Sequence, residues 1–333
     1  MSDRKKDHIN QAFKARVEKD AADKRFNYEP LLAAHPVTKQ APFSFAGKTM
    51  RFPLWISSMT GGTTQAGLIN RNLARACNEF GLGMGLGSCR TLLEDERHIN
   101  DFDLRNIIGD DSPFYANLGI AQLERLVEEK AVDKISNLVD RLQADGIIIH
   151  INPFQETFQP EGQVFKRPPL DTLQEFLEIT NNRVIVKEVG QGMGPESIER
   201  LLQLPIEAIE FGALGGTNFT LLELLRSQEK ELAAFEAFAK VGHTAEDMTQ
   251  MVNEVVSKSN KYSCKQVIIS GGITNILDGY YLQQLCKLSS VIGMGSALLK
   301  VASGDYDELR NFLQQVKKSY QLASAYLKIR ENI

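Results

Sequence analysis

The sequence is poor in cysteine, has no long apolar run and carries no strong excess of either charge. Its four cysteines, Cys77, Cys89, Cys264 and Cys286, are scattered through 333 residues with no CxxC pair. That spacing argues against a disulfide framework or a cysteine zinc site. No apolar stretch approaches the twenty or so residues that a membrane span requires, and the opening Met1-Ser-Asp-Arg-Lys-Lys-Asp-His8 is too polar for a secretory signal. A net charge of -4 gives no general attraction to nucleic acid or to an anionic membrane. The dinucleotide fingerprint GxGxxG is missing too: Gly83-Met84-Gly85 lacks its third glycine, which disfavours a Rossmann site. The expectation is a reducing, cytoplasmic setting and a protein that binds neither nucleic acid nor membrane. Any anionic ligand must then be held by local groups.

What is present is a rhythm. The chain is 43% hydrophobic and 24% charged, a folded composition, and short runs rich in branched residues recur along it. They are Pro53–Met59, Leu82–Leu86, Pro113–Asn117, Gly146–His150, Arg183–Lys187, Ala208–Phe211, Val267–Ser270 and Ser290–Gly293. Helical spacing fills the gaps: Leu123, Leu126, Val127, Ile135, Leu138, Val139 and Leu142 in one, and Ile198, Leu201 and Leu202 after Pro195 in another. Strand–helix alternation implies parallel βαβ units. Eight of them over roughly 250 residues predict an α/β fold of the (β/α)8 or TIM-barrel type, with an open doubly wound sheet as the rival. The barrel is expected as a single domain over 1–333. It carries an N-terminal extension over 1–50, helical from Ile9 to Val17, and C-terminal helices over 300–333, around Leu309–Val316 and Tyr320–Leu327. The piece Gly215–Thr244 is long for a connection, and such loops are usually functional or mobile.

Barrel enzymes carry their chemistry at the C-terminal ends of the strands, and the polar residues of this chain gather there. After the fourth run comes His150-Ile-Asn152-Pro153-Phe-Gln155-Glu156-Thr-Phe-Gln-Pro160-Glu161-Gly162. Residues i and i+2 of a strand share a face, so His150 and Asn152 are expected to point the same way, with Gln155 and Glu156 just beyond the exit at Pro153. A ligand or metal is a natural partner for such a cluster, although a strand-end histidine also serves as a plain hydrogen-bonding group. Lys187, closing Val-Ile-Val, either meets an anion or a ring oxygen at the barrel mouth or snorkels to solvent. Gly271, Gly272, Gly295 and Ser296 would let backbone N–H groups approach a phosphate, where barrels commonly seat one. A mononucleotide such as FMN suits that seat. Arg4, Lys5 and His8 supply positive charge near the start, and on a helix Arg4 and His8 share a face. They belong either to a solvated tail or to the site of a second anionic group.

Taken together, these segments resemble the type 2 isopentenyl-diphosphate isomerases, flavin-dependent (β/α)8 enzymes. The resemblance runs from Arg4 to about Leu299. It rests on Arg4-Lys-x-x-His8, Met59-Thr60-Gly61-Gly62, Gly87-Ser88-x-Arg90 and His150-x-Asn-x-x-Gln-Glu-x-x-x-Pro-Glu-Gly162. Lys187-Glu-Val-Gly-x-Gly-Met193, Gly215-Gly-Thr217 and Ser270-Gly-Gly272 complete it. It implies FMN across the barrel mouth, with Ser58, Met59, Thr60, Ser88, Asn117, Lys187 and Thr217 on the ring and ribityl chain. The phosphate would lie at Gly272, Ile273, Thr274, Gly295 and Ser296. It implies a substrate diphosphate held among Arg4, Lys5, His8, Ser88, Cys89, Arg90, His150 and Asn152. Gln155 would face the flavin across the substrate's hydrocarbon end, and Gln155 and His150 are the expected catalytic residues. Glu156 would ligate Mg2+ on the diphosphate. NADPH or NADH would reduce the flavin, and the family suggests a tetramer or octamer.

Two departures from the family pattern stand out. Gly212-Ala213-Leu214 replaces the usual Ser-Gly-Arg before Gly215-Gly216-Thr217, and Cys89 stands where a glutamine is common. The implied reaction is a 1,3-proton shift in an allylic diphosphate. Its rivals are an FMN-dependent oxidoreductase of a hydroxy acid or enone on the same barrel, and a non-catalytic flavin- or phosphate-binding protein.

Overall fold

A computed structural model of the chain describes residues 2–36, 41–58, 60–61, 63–258 and 261–330. Met59 and Gly62 of the expected flavin-binding turn lie outside the described residues. Each of the eight apolar runs forms a strand: β1 Leu54–Ile56, β2 Gly83–Gly85, β3 Phe114–Gly119, β4 Gly146–Ile151, β5 Val184–Glu188, β6 Ala208–Glu210, β7 Gln266–Ser270 and β8 Ser289–Met294. They close in sequence order into one barrel, with β8 beside β1, and every pair in it is parallel. The (β/α)8 expectation holds, and the open-sheet rival falls with the closure.

Alternation along the strands sorts the core into two clusters. Leu54, Ile56, Phe114, Ala116, Ile147, Ile149, Val184, Val186, Ile209, Val267, Ile269 and Ile292 pack outward with the helices. Their neighbours Trp55, Tyr115, Ile148, Ile185, Ala208, Ile268 and Val291 form a second cluster inside the barrel. Side chains two residues further along face the same way. The next interior storey is therefore Ser57, Asn117, His150, Lys187, Glu210, Ser270 and Gly293. Trp55 fills the lower storey because β2 yields space: a Cβ on Gly83 would lie 2.3 Å from the indole.

The segment expected as a helical extension contributes more than a helix. A hairpin, Phe43–Phe45 with Lys48–Met50, joins the inner cluster through Phe45, Ala46 and Met50. Phe45 meets Trp55 edge-on at 6.3 Å, and Tyr115 donates its hydroxyl hydrogen to Ala46 O at 3.0 Å. The hairpin thus plugs the N-terminal end of the barrel. Phe26–Tyr28 pairs antiparallel with Leu327–Ile329, tying the two ends of the chain together.

Helix boundaries differ from the sequence expectation in three places. The N-terminal helix is Ser2–Gln11 rather than Ile9–Val17. The run Leu123–Leu142 is broken into Ile120–Glu128 and Asp133–Arg141 by Lys130, which takes a φ of 55°. The two C-terminal segments are one helix, Tyr306–Tyr326, whose face carrying Leu309, Leu313, Val316, Tyr320 and Ala323 is buried. The long piece after β6 is largely helical, with Phe219–Arg226, Glu229–Phe235 and a 3-10 turn Glu236–Lys240. Among the described residues no helix is long and apolar enough to cross a membrane.

Candidate active site

The C-terminal mouth of the barrel holds a cleft of about 440 Å³. Ser57 and Ser58 line it on one side, Lys187 and Glu210 at its floor, and the turns Gly215–Thr217, Gly271–Thr274 and Gly293–Ala297 on the other. The floor is the upper interior storey. Lys187 is buried, and its ammonium donates to the carbonyl of Glu188 at 2.8 Å. In register, Lys187 sits beside His150 on β4 and beside Glu210 on β6. Glu210 is fully buried, and neither carboxylate oxygen has a hydrogen bond; the hydroxyls of Ser57 and Ser58 are likewise unpaired. Burial pushes the Glu210 carboxyl above its usual range, against the opposing pull of the Lys187 charge and of the Ser57 and Ser270 hydroxyls, which lie near it without reaching hydrogen-bond geometry. Gly293 keeps this floor open, since a Cβ there would lie 2.6 Å from that of Ser270 and 2.9 Å from Ser57 Oγ. Buried polar groups are nearly always satisfied, so an unpaired set around a cleft marks where a ligand's own polar atoms belong.

The phosphate-seat expectation can be tested on local geometry. Gly271 and Gly272 take φ values of +89° and +69°, and a Cβ on Gly271 would lie 2.1 Å from Ala213 O, so only glycine lets this turn nest against the strand-six loop. The two helices that start here are not equivalent. At Ile276–Leu285 the Asn275 side chain accepts from Leu277 N and Asp278 N, while Asp278 accepts from Asn275 N and from the Thr274 hydroxyl at 2.7 Å. That end is capped, and it already carries a carboxylate. The helix Ser296–Ala302 begins at Gly295 with no side-chain cap, leaving its first N–H groups for an acceptor from outside. The cradle is thus the turn at Gly271–Thr274 facing the open helix end at Gly295-Ser296. Lys300 is a nearby cation on the same wall.

His150 makes one hydrogen bond, from Nδ1 to Asn117 Oδ1 at 2.8 Å. The Asn117 amide nitrogen donates to Leu86 O at 2.9 Å, and a carbonyl can only accept, so Asn117 Oδ1 must be the acceptor. His150 therefore carries its proton on Nδ1 and leaves Nε2 as a lone pair. Burial, followed by the charges of Lys187 and Arg90, lowers its pKa to about 3, so the ring is neutral. Asn117 is committed to these two partners rather than turned into the cleft.

Beyond the strand, Asn152 does not share a partner with His150. Its amide donates to Gln155 Oε1 and to Glu156 Oε1, each at 3.1 Å, on the short helix Pro153–Phe158. Glu156 is buried and also accepts from Gln163 N at 2.8 Å, which makes it the anchor of the Gln159–Gln163 turn. Gln155 lines an adjoining pocket of about 290 Å³ that meets the cleft at Val189, and its Nε2 donates to Glu223 at 3.5 Å. The roll of this helix is fixed from behind: Phe154 packs on Phe238 at 5.5 Å and Phe158 on Phe235 at 5.2 Å. Among the described residues no group of three or more His, Cys, Asp or Glu side chains could hold a metal ion.

Other expected positions scatter. Thr60 and Thr217 are half-buried near the mouth, and Ser88 and Arg90 are exposed. Cys89 turns away: its N–H donates to Asn117 O at 2.8 Å, its thiol to Gly87 O, and burial pushes the thiol up to about 12. Arg4, Lys5 and His8 stand on the helix Ser2–Gln11, are exposed, and are not among the residues that line the cleft. Glu188, one residue past Lys187, accepts from the N–H groups of Gly190, Gln191 and Gly192 at 2.6–2.9 Å and so shapes its own loop. Sequence reasoning missed Glu210, Glu223 and Phe219. For Glu210 the signal was available, because a carboxylate inside Ala208-Ile-Glu-Phe211 invites the same argument as the lysine after Val-Ile-Val.

No family model matches the chain. Known structures similar to it include a mandelate oxidase with a monooxide FMN adduct, 12% identical with a TM-score of 0.55 over 91% of this chain and 83% of that one. A flavocytochrome b2 variant with sulfite bound is 11% identical, with a TM-score of 0.58 over 90% and 71%. At that identity the likeness speaks for the fold alone. Curated relatives are nearer. The isopentenyl-diphosphate delta-isomerase of Rickettsia typhi is 31% identical over 95% of this chain and 91% of its own length, and that of Rickettsia felis is 34% identical over 82% and 77%. With relatives of that identity spanning most of its length, and a closed barrel beneath the motifs, the chain belongs to the type 2 isopentenyl-diphosphate delta-isomerase family.

Proposed function

We propose that the chain binds FMN across the barrel mouth and interconverts isopentenyl and dimethylallyl diphosphate. The observation that carries this reading is the cleft itself: unpaired Ser57, Ser58 and Glu210 beside a buried lysine at one end, and an uncapped helix start facing a glycine turn at the other. A flavin mononucleotide has a polar pyrimidine edge, a hydroxylated chain and a phosphate, so it matches that order of groups. Ser58, Thr60 and Lys187 would hold the ring, with Met59 as the family suggests. Thr217 on the cleft wall, with Ser88 and Asn117 as the family suggests, would complete its surroundings, and Gly272, Ile273, Thr274, Gly295 and Ser296 would hold the phosphate. When bound in its reduced form, primed by NADPH or NADH, the flavin supplies the proton donor and acceptor that an unactivated alkene requires.

The protein's own share is binding, orientation and exclusion of water. Gln155 is an amide and cannot be a strong acid; it would position the hydrocarbon end above the cleft, held by Asn152 and Glu223. Val189, Phe219 and Met294 give that end an apolar wall. His150, with its proton directed to Asn117, presents Nε2 and would gain a proton only beside an anion, so it is suited to sensing the diphosphate together with Arg90. Glu156 alone is no metal site. It suits Mg2+ that arrives on the diphosphate, since magnesium commonly takes one carboxylate with phosphate oxygens and water. The exposed helix with Arg4, Lys5 and His8 would fold over that diphosphate.

The decisive experiment is anaerobic incubation of purified protein with FMN, Mg2+, reductant and isopentenyl diphosphate. Dimethylallyl diphosphate should accumulate with no net consumption of reductant beyond one priming equivalent. Sustained oxidation of a small hydroxy acid, with no isomer formed, would instead establish the oxidoreductase reading.

A further inference from the structure

The buried carboxyl of Glu210 helps to mark the cleft as a ligand site, but the proposed reaction gives it no role of its own. It is fully buried, has no hydrogen bond at either oxygen and lines the cleft, with Lys187, Ser57 and Ser270 as polar neighbours. Such a group is costly unless something compensates it. The compensation within the chain is partial. Lys187 lies beside it in register, but that ammonium donates to Glu188 O, and no ion pair within 4 Å joins the two. A like-sized apolar residue would have filled the storey at less cost, as Ile185 and Ile268 do one layer below. The carboxyl is therefore placed for what enters the cleft.

We propose that Glu210 is a flavin-tuning residue, whose carboxyl faces the bound ring from the barrel floor and offsets the positive charge that Lys187 offers to it. This rests on the FMN reading. Reduction adds negative charge to the ring, and in a low-dielectric pocket the ionised carboxyl of Glu210, which Lys187 and the Ser57 and Ser270 hydroxyls favour against burial, opposes it far more than it would in water. Lys187 favours the reduced ring and Glu210 moderates that preference, so the pair sets how readily the cofactor is primed and how readily it is lost to oxidation. Glu210 is a positioning and electrostatic residue here rather than a proton donor to substrate.

The test uses the FMN-reconstituted full chain and two variants, Glu210→Gln and Glu210→Asp. Glutamine keeps the volume and removes the charge. The bound flavin of Glu210→Gln should be reduced more easily by about tenfold in the two-electron equilibrium, a rise of about 30 mV in midpoint potential. Its FMN dissociation constant should change less than that. Aspartate keeps the charge and should stay near the wild-type potential. A merely structural role would move thermal stability or FMN affinity in both variants and leave the potential alone. Equal potentials in the wild type and Glu210→Gln, or equal shifts in both variants, overturn the proposal. Wild-type protein that fails to take up FMN overturns the cofactor reading itself, and this inference with it.

Discussion

The barrel interior has two storeys built on the same strands, and they differ in how well they satisfy themselves. The lower one, from Trp55 to Val291, is closed by the hairpin below it. Of its two aromatic polar groups, the Tyr115 hydroxyl has a partner and only Trp55 Nε1 lacks one. Two residues further along the strands, Ser57 and Glu210 lack partners and Lys187 is held by a single carbonyl. One alternation of the strand separates a finished core from an unfinished one. The lower storey holds the barrel together, and the upper storey waits for a ligand. Substitutions in the two should therefore fail in different ways.

The largest expected effect lies below. Trp55→Ala removes the biggest interior side chain against glycines that cannot fill the gap, and should cost about 3–5 kcal/mol of unfolding free energy. Denaturant titration measures it. A loss below about 1 kcal/mol would mean that the lower storey is not the structural core of the barrel. Gln155→Ala comes next and lies above the rim. It should leave the melting temperature and FMN affinity nearly unchanged while lowering turnover of isopentenyl diphosphate by roughly a hundredfold, the order of a lost positioning contact. Turnover within threefold of wild type would remove Gln155 from the site.

The same two storeys explain what could be read in advance. The lower storey announces itself because buried parallel strands are written as apolar runs, and all eight were visible in the sequence. The strand-end polar residues His150, Lys187 and Ser270 were visible because polarity at the end of such a run is costly. Glu210 obeys the same rule but sits in a short run that ends in phenylalanine, and it reads as an ordinary amphipathic break. Tertiary choices could not be read. Nothing in the spacing says that Asn117 turns to Leu86 and His150, or that Cys89 gives its N–H to Asn117. The plugging hairpin hides in a stretch with no periodicity of its own, because a short edge ribbon declares its burial only through the partner it covers. The exposed setting of Arg4, Lys5 and His8 is likewise a matter of packing.

A smaller effect, in the upper storey, concerns pH. The native fold holds His150 neutral down to about pH 3, whereas in the unfolded chain an ordinary histidine takes its proton near 6.5. Between those values the unfolded state binds the extra proton, so stability falls as the pH falls. Above 6.5 the residue contributes no slope. One such group gives at most about 1.4 kcal/mol per pH unit. His150→Gln keeps a donor for Asn117 and does not titrate, so its stability between pH 6 and 4 should fall less steeply than that of the wild type. Parallel curves would show that the ring is not held neutral. Adding inorganic pyrophosphate should reduce the difference if the anion stabilises the charged ring.

The smallest effect carries the sharpest contrast with Trp55. Ser57 lies two residues along the same strand direction, is buried, and has an unpaired hydroxyl. Deleting a partnered buried hydroxyl usually costs stability, but deleting an unpartnered one relieves a desolvation penalty. Ser57→Ala should therefore leave the flavin-free protein equal to wild type or up to about 1 kcal/mol more stable. Once FMN is present the order should reverse, because the bound ring gains a hydroxyl contact only in the wild type, and ligand binding adds stability in proportion to affinity. Comparing unfolding midpoints with and without FMN reads both signs at once. If the apo variant proves clearly weaker than the apo wild type, the hydroxyl has a partner within the fold, and the upper storey is as complete as the lower.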